Sequence, residues 1–132
     1  NTFAQCGHEL GLTFQIIDDI LGIWGKPQVT GKSAASDILE RKKTLPVLYA
    51  LEWEAGHGLG DLQALYLHPA LTEAEVPLVL RLLDRAGARQ FARQKAEEHH
   101  TLTRSHLRAT RTMNPAHEKL CAFTDALLDR SY

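Results

Sequence analysis

Residues 14 to 32, FQIIDDILGIWGKPQVTGK, place two adjacent carboxylates, Asp18 and Asp19, inside a run of isoleucine and leucine. Apolar residues recur at helical spacing on both sides of the pair, which predicts a long helix buried on most of its sides. Two like charges in such a helix repel each other, and an unpaired carboxylate is costly to bury. The stretch therefore needs an explanation for its charges as well as for its fold.

Three arrangements would relieve the repulsion between Asp18 and Asp19. One carboxyl group is protonated, or both face solvent or pair with basic side chains, or a divalent cation neutralises them. Mg²⁺ is commonly held by one or two carboxylates and completes its shell with water and phosphate oxygens. Lys32 and Lys42, which follow in the sequence, are candidates for the remaining charge of a bound diphosphate. A solvated acidic pair with unrelated surface lysines explains the same residues without a ligand.

The rest of the chain carries helical signals, and strand-like alternation is almost absent. Glycine and proline predict a loop over residues 24 to 36, and the charged residues 37 to 43 predict a turn of helix. Thr44 is a predicted N-cap, with Pro46 in the first turn of a buried helix. Further helices are predicted over residues 61–67, from 73 to the break at Gly87, over 88–112, and from 115 onward. The predicted fold class is all-α, with six or seven helices.

Composition narrows the class of protein. The 132 residues suffice for one domain, and 44% hydrophobic and 23% charged residues with a net charge of -1 are ordinary for a soluble globular protein. A nucleic-acid binder usually has a basic excess, so this class is disfavoured. No apolar run approaches the roughly 18 residues of a membrane helix. Cys6 and Cys121 lack metal-type spacing, which predicts reduced thiols in a cytoplasmic protein.

The stretch at residues 14 to 32, followed by SDILERKKTLPVLYAL at residues 36 to 51, resembles the second aspartate-rich region of trans-isoprenyl diphosphate synthases, the polyprenyl synthetase family. The resemblance is specific over residues 7 to 51 and extends over most of the chain. It implies an all-α bundle around a deep cavity, usually as a homodimer. It also implies Mg²⁺-assisted ionisation of an allylic diphosphate, attack by isopentenyl diphosphate, and release of a longer prenyl diphosphate.

The resemblance assigns roles to the charged side chains. Asp18 and Asp19 match the Mg²⁺-binding carboxylates, and Lys32 matches the diphosphate-binding lysine of the TGK loop, so these three form the catalytic set. Lys42 matches a later diphosphate-binding lysine. Mg²⁺ is the implied cofactor, and allylic and isopentenyl diphosphates are the implied substrates.

Other positions agree with the family pattern only in part. Phe14 and Gln15 match the pair that lines the substrate site, and Asp37 is a weaker candidate that holds Lys42 or a metal-bound water. Gly22 stands where the family often has a further aspartate, so one carboxylate is missing. Lys26 replaces an acidic residue of the following turn.

The family's first aspartate-rich motif, with its following arginines, does not occur in these 132 residues. We therefore expect residues 1–132 to be the C-terminal half of a single polyprenyl synthetase domain, inactive alone and associating as a homodimer or with an N-terminal half. The alternative is a non-catalytic helical subunit or interaction module of the same fold. A terpene cyclase-like relative is disfavoured by the segment from TGK to the lysine pair.

Overall fold

The computed structural model describes residues 2 to 25, 35 to 110 and 115 to 130. Within these ranges the chain forms seven α-helices, one 3₁₀ turn and no strand, so the all-α prediction is confirmed. The α-helices are α1 Thr2–Trp24, α2 Ser36–Leu39, α3 Leu45–Gly56, α4 Asp61–Tyr66, α5 Val76–Ala86, α6 Ala88–Thr110 and α7 Pro115–Arg130, and the 3₁₀ turn is Glu73–Glu75. Across the described ranges, no helix has both the length and the apolar character required to cross a membrane.

Helix boundaries follow the predicted start and stop signals. Thr44 is the N-cap residue of α3, and Thr72 forms a capping box with Glu75 at the 3₁₀ turn that leads into α5. In that box the Thr72 backbone N–H donates to Glu75 Oε1 at 3.1 Å. Gly87 separates α5 from α6 with a left-handed φ of 72°, which glycine adopts without strain. Most of the predicted loop over residues 24 to 36 lies outside the described residues.

The chain divides into two compact units. The second unit comprises residues 19 to 92, and within it α5 contacts α2, α3 and α4. Its core consists of side chains with almost no exposed surface, namely Ile23, Ile38, Val47, Leu62, Val79 and Leu83. At its edge the rings of Tyr49 and Phe91 stack with centroids 4.0 Å apart. Burial of these apolar side chains is the main force that holds the short helices in place.

The first unit comprises residues 1 to 18 and 93 to 132. Polar pairs join its helices: Glu9 of α1 with His99 of α6, and Asp125 of α7 with His100 and Arg104 of α6. The rings of Phe14 and Phe123 pack with centroids 5.8 Å apart. His100 is buried, so its ring nitrogen needs a hydrogen-bond partner from the protein in place of water, and Asp125 supplies that partner.

Candidate functional site

Asp19 ties α1 to the start of α3. The side chain is only 6% exposed, and its Oδ2 accepts a hydrogen bond from the backbone N–H of Leu45 at 3.1 Å. The first N–H groups of a helix have no partner within the helix, and the helix dipole favours a negative charge there. Thr44, the N-cap residue itself, makes no side-chain capping bond, and its Oγ1 is buried without a partner among the described residues. Asp19 therefore performs the capping that Thr44 does not.

Asp18 has different surroundings from its neighbour, because it is exposed on α1 while Asp19 is buried. Successive residues of a helix point about 100° apart, so one residue of a pair can face the core while the other faces solvent. The two adjacent charges are therefore not equivalent. Asp18 is the carboxylate that a cation in solvent can reach directly.

The carboxylate of Asp37 lies against Gly22. Asp37 belongs to α2 and is only 4% exposed. A Cβ atom added at Gly22 would lie 2.0 Å from Asp37 Oδ2 and 2.5 Å from its Cγ. Real Cβ atoms do not approach other atoms so closely, so the carboxylate occupies the space that a side chain at position 22 would need. The Asp37 carboxylate of α2 therefore occupies the space beside Gly22, the position at which α1 lacks a carboxylate.

Tyr66, at the end of α4, places a hydroxyl group near this carboxylate. The Tyr66 Oη is buried and has no hydrogen-bond partner among the described residues. Burial and, to a smaller extent, the negative charge of Asp37 raise the pKa of Tyr66 to about 12. The phenol therefore stays protonated at neutral pH and remains a hydrogen-bond donor beside Asp37. We call Asp19, Asp37, Thr44 and Tyr66 the polar cluster.

The turn between α2 and α3 fixes the backbone of Lys42 at the end of α2. The Lys42 backbone N–H donates to the carbonyl oxygen of Asp37 at 2.9 Å, and the residue is exposed. Lys32 and Lys26 lie outside the described residues. Within the second unit, Asp19 is thus bonded to the start of α3, and Asp37 is bonded through its carbonyl to the Lys42 backbone.

The remaining candidates from the sequence belong to the first unit. Phe14 is half-buried and packs on Phe123, and Gln15 is exposed. Asp18 is the last residue of the same segment of that unit. Nothing in the ring contact of Phe14 assigns it to a substrate, so its role stays a prediction.

Comparison with known proteins decides the family. A polyprenyl synthetase family model matches residues 1–83, which include α1 to α4 and every predicted site residue. The chain belongs to the polyprenyl synthetase family. This confirms the family predicted from the sequence.

Members of the polyprenyl synthetase family with assigned names share much of the chain. A geranylgeranyl diphosphate synthase from Mycobacterium tuberculosis is 45% identical over 93 residues, which are 70% of this chain and 26% of the relative. A heptaprenyl diphosphate synthase component 2 from Geobacillus stearothermophilus is 54% identical over 48 residues, 36% of this chain and 15% of the relative. The first of these relatives is therefore matched over about a quarter of its length.

A solved structure agrees with this assignment. The crystal structure of a polyprenyl synthetase from Streptomyces coelicolor A3(2) superposes with a TM-score of 0.76 and 35% sequence identity. The match covers 98% of this chain and 39% of that chain. The helices of this polyprenyl synthetase chain therefore follow those of a known family member almost throughout.

The residues of this polyprenyl synthetase chain fit a magnesium ion that is held by few protein ligands. Among the described residues no group of three or more histidine, cysteine, aspartate or glutamate side chains is arranged to enclose a metal. Asp18 nevertheless offers an exposed carboxylate to such an ion. This donor set suits Mg²⁺, which takes one or two carboxylates and leaves its other positions to water and phosphate.

Sequence reasoning missed a second buried carboxylate, Glu54 of α3. It is 1% exposed, and both of its oxygens accept the backbone N–H of Leu62, at 3.0 and 3.1 Å. Arg85 of α5 donates to Glu54 Oε1 at 2.7 Å and also pairs with Asp61 at 3.2 Å. The available signal was an acidic residue within an apolar helix, but its partners lie too far along the sequence to be identified. Glu54 therefore joins α3, α4 and α5 and belongs to the scaffold of the second unit.

Proposed function

We propose that this chain is part of a Mg²⁺-dependent, chain-elongating isoprenyl diphosphate synthase that joins an allylic diphosphate to isopentenyl diphosphate. Two contacts support the proposal: the Leu45 N–H donates to Asp19 at the start of α3, and the Lys42 N–H donates to the Asp37 carbonyl at the end of α2. Both lie within the residues matched by the family model. Relatives named as prenyl diphosphate synthases support the same reaction class. Asp18 and Asp19 are the proposed metal carboxylates, with Lys32 and Lys42 as diphosphate-binding lysines.

The proposed reaction needs stabilisation of growing negative charge on a leaving diphosphate. Lys32 and Lys42 carry the positive charge for this task, and a charge that is fixed in place stabilises the transition state without reorganisation. Phe14 and Gln15 are the proposed lining of the substrate site. The buried isoleucines of α1, Ile16, Ile17 and Ile20, exclude water from the side of the helix that they cover.

The proposed magnesium site uses the two aspartates differently. Asp18 offers exposed oxygens, while Asp19, through its bond to the Leu45 N–H, holds α1 at the start of α3. A magnesium ion held there would supply Lewis-acid stabilisation of the diphosphate oxygens. Tyr66 places a buried phenol near Asp37, whose carboxylate packs against Gly22.

Mg²⁺-dependent binding of inorganic pyrophosphate is the direct test of this site. Asp18→Ala, Lys32→Ala and Lys42→Ala are each expected to weaken binding by about tenfold or more, because each removes a charge-assisted contact worth roughly 1.5–3 kcal/mol. Isothermal titration calorimetry with and without Mg²⁺ gives the affinities. Glu118→Ala and Lys119→Ala, at exposed residues of α7, are matched controls that should bind like the wild type. Unchanged pyrophosphate binding in both Asp18→Ala and Lys32→Ala would contradict the proposed site.

We also propose that these 132 residues form the C-terminal part of one polyprenyl synthetase domain, whose complete enzyme is a cytoplasmic homodimer. The match to about a quarter of a named relative supports a partial domain. We expect the 132-residue chain alone to give no steady product from geranyl diphosphate, isopentenyl diphosphate and Mg²⁺, because these residues hold one aspartate pair of this kind and not two. Chromatography of prenyl products checks this, and steady product formation would refute it.

A non-catalytic helical subunit is the second candidate function. Gly22 and Lys26, where the family pattern has acidic residues, favour it. The relative named component 2 of a heptaprenyl diphosphate synthase supports association with a further subunit. The pyrophosphate titration separates the two candidates. An enzyme site binds pyrophosphate in a Mg²⁺-dependent way, whereas a subunit without chemistry does not.

A further inference from the structure

The short helix α2 lies between two residues with left-handed backbone conformation. Ala35 has a φ of 57° and Arg41 a φ of 53°, and neither is glycine. The left-handed region is unfavourable for residues with a Cβ atom, so it persists only where the surrounding contacts hold it. Arg41 precedes Lys42 directly, which links this strain to the proposed diphosphate site.

The backbone around Arg41 forms a Schellman motif that ends α2. The Arg41 N–H donates to the Ile38 carbonyl at 2.9 Å, and the Lys42 N–H donates to the Asp37 carbonyl at 2.9 Å. These are the two hydrogen bonds of that motif, whose left-handed position is usually occupied by glycine. The arginine at this position therefore bears a conformational cost that glycine would avoid.

The Arg41 side chain makes a contact that can offset this cost. Its Nη1 donates to the backbone carbonyl of His68, which follows α4 and lies 27 positions away in the sequence. The His68 N–H in turn donates to the Leu65 carbonyl at 3.2 Å, so the acceptor is fixed by the end of α4. The side chain thus clamps the strained turn to a second helix.

We infer that Arg41 is a positioning residue for diphosphate binding. Its clamp on His68 holds the left-handed turn, and the turn places Lys42 beside the Asp37 backbone. The inference rests on the proposed function, in which Lys42 binds diphosphate. The competing role is direct binding of the anion by the exposed guanidinium, and the two roles differ in what they predict for glycine at this position.

Arg41→Gly and Arg41→Ala separate the two roles. Glycine adopts the left-handed turn without strain, so the turn persists without the clamp. Alanine loses the clamp and keeps the strain. We expect Arg41→Ala to weaken Mg²⁺-dependent pyrophosphate binding about tenfold, whereas Arg41→Gly stays within roughly twofold of the wild type. Calorimetry measures the affinities, and circular dichroism verifies that each variant keeps its helices.

Each outcome decides for or against the inference. Equal loss of affinity in Arg41→Gly and Arg41→Ala overturns it in favour of direct binding, and an unchanged Arg41→Ala overturns it as well. If Arg41→Ala does not fold, Arg41→Lys replaces it. Weaker pyrophosphate binding by Arg41→Lys than by Arg41→Gly supports the positioning role. Stronger binding by Arg41→Lys supports direct binding of the anion by the charge. A wild type without pyrophosphate binding contradicts the proposed function itself, whereas an effect missing only in the Arg41 variants contradicts the positioning role alone.

Discussion

Replacing Glu54 by glutamine is expected to lower the free energy of unfolding by about 2–3 kcal/mol, because a neutral amide replaces a buried carboxylate that accepts charge-assisted hydrogen bonds. The buried Glu54 carboxylate accepts hydrogen bonds from the Leu62 backbone N–H and from the Arg85 guanidinium, whose side chain is 34% exposed. Glutamine is almost the same size, so the loss reports the charge and the acceptor oxygen and not a cavity. Chemical unfolding followed by circular dichroism gives the free energy.

Asp61→Asn is the matched control for Glu54. Asp61 pairs with the same Arg85, but its side chain is 63% exposed, against 2% for that of Glu54. Exposed ion pairs contribute roughly 0–1 kcal/mol, so this variant should remain close to the wild type. If Asp61→Asn and Glu54→Gln lost similar amounts of unfolding free energy, the prediction that burial decides the strength of these pairs would be contradicted.

The sequence allowed the helices to be predicted because their signals are local. The helix start near residue 73 and the break at Gly87 each depend on a few neighbouring residues, and each lies where it was predicted. The burial of Asp19 could also have been predicted, because its spacing from Ile16 and Ile23 places all three on one face of the helix, and both isoleucines are buried. The asymmetry of the aspartate pair was therefore present in the sequence pattern.

The contacts between distant segments could not be predicted in this way. Arg85 is 31 positions from Glu54, and Arg41 is 27 positions from His68, so no periodic pattern relates them. The packing of Asp37 on Gly22 depends on the path of the chain between α1 and α2. For the same reason Gly22 was interpreted as a missing carboxylate, although Asp37 fills the space beside it. The residue identity was known, but the neighbour that explains it was not.

Gly22→Ala tests this explanation, and we expect it to lower the free energy of unfolding by about 1–3 kcal/mol, as overpacking usually does. The added methyl group would lie 2.0 Å from Asp37 Oδ2, so the carboxylate or α2 must move. Gly11→Ala, on the same helix, is the control, because a Cβ there meets nothing within 4 Å. Alanine is a better helix former than glycine, so this control should gain up to about 1 kcal/mol.

A double-mutant cycle assigns the cost of Gly22→Ala to Asp37. Asp37→Ala removes the carboxylate that the new methyl group meets, so Gly22→Ala should cost much less in that background than in the wild type. Unfolding free energies of the four proteins give the coupling between the two positions. A cost that is the same in both backgrounds would mean that another contact makes glycine necessary at position 22. A cost that disappears shows that α1 carries glycine at this position because the carboxylate of α2 takes the space.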